Sequence, residues 1–404
     1  MNTLRRLAQH DAFYLLIFIF LIALNLRGPV TGLPPLLDRI SDDLQLSNWQ
    51  SGLLTSLPLL IFALFAPVAS WLTRHFKIER ILATGVGLIA LGMLIRSLGS
   101  ISTLYIGAIL IGAGIAIGNV LLPSLLKREF PNHIVQLTAM YVLMMSIGGF
   151  VMSSFAVPLS LFAERPSFAL PMSGWAFALA CQGAIILLPL IIWFTCRITQ
   201  HHTPQVNSPD VPSALWRSVI AWQVAGFLAI NSLLNYIVVA WMPSILVSYH
   251  YADSTAGLYQ GYLQLAGALP SLILAPFINR LGSHRRLCLL ATSLSWLSLF
   301  GFLYVPSWSG LWAVCFGFGV SMSFIMGLSF ISLRTNSPKQ AAALSGMSQL
   351  IGYTLAALGP VLIGVLHDWH LSWSAPLYVL LIIGFLLMVL GWLASPKPHN
   401  VSCS

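Results

Sequence analysis

The chain is predicted to be an all-α integral membrane protein, with twelve transmembrane helices in two parallel six-helix bundles. Three observations carry that expectation. Of its 404 residues, 58% are hydrophobic and only 7% are charged, too few charges to keep a soluble surface of this size in water. The apolar residues come in blocks of about 20, the length that crosses a hydrocarbon core of roughly 30 Å. Short loops between the blocks are alternately rich and poor in Lys and Arg. Backbone groups in lipid need partners within their own segment, so the blocks are helices. The short alternating segments of a β-barrel are missing.

Twelve spans follow, at 12–36, 48–71, 80–98, 102–126, 134–160, 174–195, 218–247, 254–278, 286–305, 309–333, 340–365 and 374–394. Their order is justified by what separates them. Arg74, Lys77 and Arg80 follow span 2, and Lys127 and Arg128 follow span 4. Arg197 and Arg217 flank the stretch after span 6, Arg280, Arg285 and Arg286 follow span 8, and Arg334 and Lys339 follow span 10. The alternate loops hold Arg39 and Arg165 among Asp38, Asp42, Asp43, Glu164, Asp253 and Asp368. Fifteen of the nineteen Lys and Arg thus share the side of the N-terminus, which predicts cytoplasmic termini in a bacterial-type inner membrane. The net charge of +9 is therefore an orientation signal and implies no nucleic-acid partner. Trp49, Trp71, Trp175, Trp308 and Trp373 sit near span ends, as interfacial anchors do. Five cysteines, odd in number and mostly in or beside apolar blocks, imply no disulfide framework. Arg5 and Arg6 before an apolar run mimic a signal peptide, but the run is too long and lacks a cleavage site, so it stays as span 1.

The longest hydrophilic stretch, 197–217, is rich in Pro, Ser and His and reads as a linker between halves 1–196 and 218–404. His201 and His202 have no further ligand at useful spacing, so no metal is expected. The halves look duplicated. Gly112 and Gly114 answer Gly317 and Gly319, "LTAM" (137–140) answers "LSGM" (344–347), and Gly52 answers Gly257, at offsets of 205 to 207. Six spans per half make the copies parallel, with a binding site at the midplane between them.

Every Asp and Glu lies in a loop or at a span end, and the histidines are peripheral too. Buried carboxylates and imidazoles are the usual proton relays and cation sites, so a cation substrate is disfavoured. An enzyme is disfavoured as well, since no buried base, HExxH or Walker A loop is present. What lies inside is positive. Arg27 stands about fourteen residues past Phe13, roughly 20 Å along a helix. A central Arg costs ~2.5–3.5 kcal/mol on insertion scales, so it must face a polar cavity or partners in the bundle. Thr31 is one turn on, on the same face. Gly28 and Pro29 are expected to loosen the helix beside it. Arg96, near the outer end of span 3, is expected to snorkel to the interface. Asn119, the pairs Asn231/Asn235 and Gln260/Gln264, and Gln349/Tyr353 supply uncharged polar groups. Tyr141, Tyr236 and Trp241 offer a stacking wall. The set predicts a donor-rich pocket around one cation, suited to a small anion or an acceptor-bearing aromatic.

Twelve spans, a central linker and parallel halves resemble the major facilitator superfamily. Its signature between helices 2 and 3, a Gly followed by Asp-Arg-x-Gly-Arg, is altered here. "SWLTRHFKIER" (70–80) has Arg74 in the Asp place and Lys77 in the Gly place, while "APFINRLGSHRR" (275–286) keeps Arg280 and Gly282 with Asn279 in the Asp place. "NLRGPVTGLPPLLD" (25–38), "GNVLLPSLLKREFP" (118–131), "AWQVAGFLAINSLLNYIVVAWMPSIL" (221–246) and "QAAALSGMSQLIGYTLAALGP" (340–360) resemble the cyanate-permease branch, above all its 2-nitroimidazole exporters. The resemblance implies a secondary transporter of a small electron-rich solute, working by alternating access as a monomer in the bilayer without a cofactor. Its rivals are a broad exporter of neutral aromatic drugs and a passive channel.

Overall fold

A computed structural model of the chain describes residues 2–73, 75–130, 133–165, 172–195, 217–273, 284–335 and 338–395. Among these residues the regular structure is helical. In chain order the helices are α1 (Asn2–Thr31), α2 (Leu37–Leu44), α3 (Asn48–Leu72), α4 (Ile78–Arg96), α5 (Ile101–Glu129), α6 (Ile134–Ala163), α7 (Gly174–Ala184) and α8 (Leu187–Thr195). The second half continues with α9 (Val219–Ser248), α10 (Asp253–Ala266), α11 (Leu269–Ile273), α12 (His284–Tyr304), α13 (Ser309–Leu333), α14 (Pro338–His370) and α15 (Ser374–Ala394). Among the described residues, eleven segments are long and apolar enough to cross a membrane, and they match eleven predicted spans. The predicted span 254–278 is the pair α10 and α11; its last residues, like 197–216 of the linker, lie outside the described residues.

The first span differs from expectation. α1 runs unbroken through Gly28 and Pro29 and stops at Thr31, short of residue 36. Two prolines then follow, and Pro34–Leu36 form a single 3-10 turn. Proline lacks an N–H and restricts the residue before it, so the chain leaves the helix there and turns into amphipathic α2. Pro29, in the last turn, has no N–H to give the Asn25 carbonyl, yet the helix continues to Thr31.

The paired glycines have paired jobs. A Cβ on Gly112 of α5 would lie 2.7 Å from the Pro58 carbonyl oxygen of α3, and one on Gly114 would strike the Gly85 carbonyl of α4. In the other half, Gly317 of α13 abuts the Leu263 carbonyl of α10, and a Cβ on Gly319 would lie 2.8 Å from the Ala291 carbonyl of α12. The same glycines admit the same neighbours in each half, and both make small-residue helix crossings. Gly52 and Gly257 correspond in turn. Gly52 sits against Pro360 of α14 and Gly257 against Ser153 of α6, so each brings a helix of one half onto the other.

Those two contacts belong to the seams that join the halves. Along α3 and α14, Asn48 meets Gly364, Leu59 meets Ala356 and Ala357, and Phe62 packs its ring 4.3 Å from that of Tyr353. Along α6 and α10, Phe150 meets Gly261 and Gly149 meets Gln264. All of these lie between mid-depth and the face opposite the termini, where the molecule is closed. The outer surface carries Leu98, Phe194, Ile382 and Phe385, each more than half exposed, as a lipid-facing belt requires. Trp49, Trp71 and Trp308 are exposed anchors as predicted, whereas Trp175 and Trp373 are buried. Trp175 is drawn inward because its indole N–H donates to Asp43 at 2.7 Å.

A Gly112→Val variant is expected to lower the thermal stability of the purified protein by about 1–3 kcal/mol through overpacking. Gly87→Ala, where no heavy atom lies within 4 Å of the added carbon, should instead keep or raise it. Melting curves in detergent distinguish the two.

Candidate functional site: a cationic chamber between the halves

Arg27 projects from α1 at mid-depth. Protein surrounds it, yet it keeps accessible surface, as a side chain in an internal chamber does. Its guanidinium makes no hydrogen bond or ion pair among the described residues; the charged or polar group within its electrostatic reach is the phenol of Tyr236 on α9. An arginine has five N–H donors in a rigid fork and cannot shed its proton. It therefore presents an unsatisfied cation to whatever enters.

Further phenols and an amide connect to Tyr236. Tyr236 and Tyr141 both lie within electrostatic reach of Tyr353 on α14. The Tyr141 hydroxyl of α6 donates to Asn119 Oδ1 of α5 at 3.1 Å. Phe62 of α3 closes the ring from its edge contact with Tyr353. Helices of both halves thus converge on Arg27. Asn231 and Asn235 share a face of α9; Asn231 is buried with Oδ1 unpartnered, and Asn235 is half-buried. Gln264 of α10 is fully buried against Gly149 of α6, and neither its Oε1 nor its Nε2 has a partner among the described residues. Leaving such groups unsatisfied costs ~1–3 kcal/mol.

Other predicted site residues serve packing instead. The Thr31 hydroxyl is taken by the carbonyls of Arg27 and Gly28 at 3.2 and 3.4 Å, as befits a hydroxyl in a last helical turn. Gln260 donates to the Val239 carbonyl at 2.8 Å and ties α10 to α9. Gln349 is exposed and bonds Ser345 on its own helix. Trp241 is no chamber wall. It is 1% exposed, donates to the Pro360 carbonyl at 2.9 Å and packs on Trp373, because an indole N–H in apolar surroundings needs an acceptor.

Arg96 also departs from expectation. It does not reach the interface but is buried, donating to the Pro29 carbonyl at 2.7 Å with a second nitrogen 3.1 Å from the Met93 sulfur. The end of α1 leaves carbonyls without helical partners, and Arg96 satisfies one of them. The clamp that a buried arginine can form with carbonyls is therefore made by Arg96, and Arg27 is left free. Position along a span did not reveal this, because depth says nothing about which face a residue occupies.

Comparison with known proteins decides the family. A model of the Major Facilitator Superfamily matches residues 14–357. The chain belongs to that superfamily. It is 41% identical over 374 residues to the 2-nitroimidazole transporter of Escherichia coli K12, covering 92% of this chain and 93% of that protein. It is 25% identical over 382 residues to the cyanate transport protein CynX of the same organism, covering 93% and 96%. Among solved structures, it superposes on a bacterial Spinster homologue with a TM-score of 0.77 at 16% identity, covering 95% and 98%. A D-xylose–proton symporter gives 0.76 at 13% identity, covering 95% and 98%. These confirm an all-α, multi-pass major facilitator fold. The altered signature between helices 2 and 3 is thus a variation within the superfamily.

The two buried arginines should respond oppositely. Arg96→Ala removes packing and orphans a carbonyl, so it is expected to lower stability by about 2–4 kcal/mol in thermal melts. Arg27→Ala removes an unpaired buried charge and should leave stability unchanged or higher.

Proposed function

We propose that this chain is a secondary transporter, not an enzyme, moving a small electron-rich or anionic solute of the cyanate or nitroimidazole kind. It acts as a monomer in a bacterial-type inner membrane with both termini cytoplasmic. One observation carries the substrate class. The midplane chamber offers a guanidinium without a counter-ion, surrounded by phenols and amides that can donate hydrogen bonds. An anion or a nitro group supplies the missing acceptor, and a charge-assisted hydrogen bond there is worth about 1.5–3 kcal/mol. Every Asp and Glu lies in a loop or at a span end, so a cation beside Arg27 meets no carboxylate among the described residues. The names of the two relatives above, one for 2-nitroimidazole and one for cyanate, agree with this chemistry.

The closed seams at the outer face, with Arg27 still accessible, support a state open towards the termini. Alternating access then requires the seams α3–α14 and α6–α10 to part while the opposite ends close. No nucleotide-binding motif is present, so a solute or ion gradient drives the cycle. Arg27 and its ring span both halves, so an occupant that contacts all of them stabilises their approach. That differential contact is what links occupancy to conformation.

Counterflow in proteoliposomes tests the proposal. Labelled cyanate and 2-nitroimidazole are expected to exchange saturably, and Arg27→Ala should lower kcat/KM at least about tenfold, the equivalent of ~1.4 kcal/mol. Linear, unsaturable flux would indicate a channel, and equal rates in Arg27→Ala would remove Arg27 from the site. Competition by bulky neutral hydrophobes would favour a broad drug exporter.

A further inference from the structure

The termini-side rim of the second half carries positive charge that its own sequence does not balance. From residue 254 to residue 404 the Lys and Arg residues are Arg280, Arg285, Arg286, Arg334, Lys339 and Lys397. The sole acidic residue in that stretch is Asp368, at the opposite end of α14. The same side of the first half differs, because Arg128 there is paired with Glu79 and Glu129. Basic loops orient a chain in the bilayer, but orientation alone asks for no particular geometry. Here Arg285 and Arg334 are held in defined places.

Both stand at the termini-side end of the pair α12 and α15. Gly384 of α15 packs on Trp296 and Leu299 of α12, and Gly391 packs on Cys288, so the two helices run side by side. At their end the Arg285 guanidinium carbon lies 3.0 Å from the centre of the Trp392 ring, a cation–π contact. Arg285 Nε is buried without a hydrogen-bond partner among the described residues, so the side chain is docked on the ring and does not sweep the interface. Arg334, just past α13, donates through Nε and Nη2 to the carbonyls of Ala394 and Ser395 at 3.2 and 2.7 Å. Its charge is thereby fixed at the end of α15 as well. Arg286, next to Arg285, is exposed. Arg285 and Arg286 also sit in the first turn of α12, where the helix dipole favours an anion over a cation.

Below these charges the surface is apolar. Leu290 is four residues after Arg286, one turn deeper on the same face, and it is exposed. On α15, Trp392 is exposed, and so is Phe385, two turns deeper. A free phosphate would use the arginines alone. A phospholipid uses the whole surface, with its phosphate on the guanidinium groups and its acyl chains along Leu290 and Phe385.

We propose that the ends of α12 and α15 bind an anionic phospholipid from the leaflet on the side of the termini. Arg285 and Arg286 contact its phosphate, and Trp392 holds Arg285 in position. Arg334 adds a fixed charge while it caps α15. The lipid supplies the counter-charge that this half lacks and bridges the two helix ends, so it stabilises the second half whatever solute the chamber takes.

The test uses the purified full chain in detergent and no transported solute. Phosphatidylglycerol is titrated against phosphatidylcholine with the same acyl chains, and binding is read by native mass spectrometry and thermal melts. The parent chain is expected to prefer phosphatidylglycerol and to melt higher with it. Arg285→Gln and Arg286→Gln should each weaken phosphatidylglycerol binding about fivefold, the equivalent of ~1 kcal/mol. Trp392→Ala should fall with them, whereas Trp392→Phe keeps a ring for Arg285 and should stay near the parent. Arg80→Gln removes an exposed charge from the same side of the first half and should leave binding unchanged. Because Arg286 is exposed, its variant carries the test if Arg285→Gln fails to fold. Equal affinity of the parent for the two lipids, an equal loss in Arg80→Gln, or equal stabilisation by inorganic phosphate overturns the assignment.

Discussion

An arginine charge placed at mid-depth without a counter-ion is the constraint on which the rest of this structure depends. Guanidinium cannot be neutralised by losing its proton, so the protein must hydrate it, pair it or leave it for a ligand. Arg27 has no pairing partner among the described residues, and its neighbours are phenols and amides with no carboxylate. The fold meets that constraint with a chamber whose wall comes from helices of both halves. Large apolar side chains such as Phe194, Ile382 and Phe385 cover the outer surface.

Arg96 shows what a structural arginine looks like in the same bundle. It is buried like a core residue, has a carbonyl acceptor at 2.7 Å and caps the end of α1. By holding that end it fixes the helix from which Arg27 projects. The arginines of α1 and α4 thus differ: Arg96 braces the end of α1, and Arg27 is left without a hydrogen-bond partner among the described residues. The glycines set the other tolerance. With Gly112, Gly114, Gly317 and Gly319 at backbone contact, the helices around them pack closely.

Much of the fold was legible in the sequence because it follows from composition and spacing. Blocks of apolar residues fix helices, alternate basic loops order them, and glycines near half-length offset mark the duplication that their matching contacts display. The depth of Arg27 was legible for the same reason. What was hidden depends on rotation about a helix axis and on partners far apart in the chain. Thr31 shares a face with Arg27, but its hydroxyl turns back to its own helix. Trp241 is large and aromatic, yet it needed the Pro360 carbonyl, 119 residues away. Arg39 pairs with Asp253 and Glu164, and Asp368 bonds Asn48, yet these read only as scattered loop residues, since nothing local says that they meet. Tyr236 was foreseen as a wall, and its nearness to the Arg27 charge depends on how α9 faces α1 across the two halves, which no local pattern encodes.

The most direct test of the central claim is crystallography of the protein with selenocyanate, a linear anion whose selenium can be located by its anomalous signal. The account predicts one strong signal in the chamber, with the nitrogen end of the anion on the Arg27 guanidinium and phenols of Tyr141, Tyr236 or Tyr353 around it. Selenium found only at the protein surface, or an Arg27 already paired with a carboxylate, would contradict it.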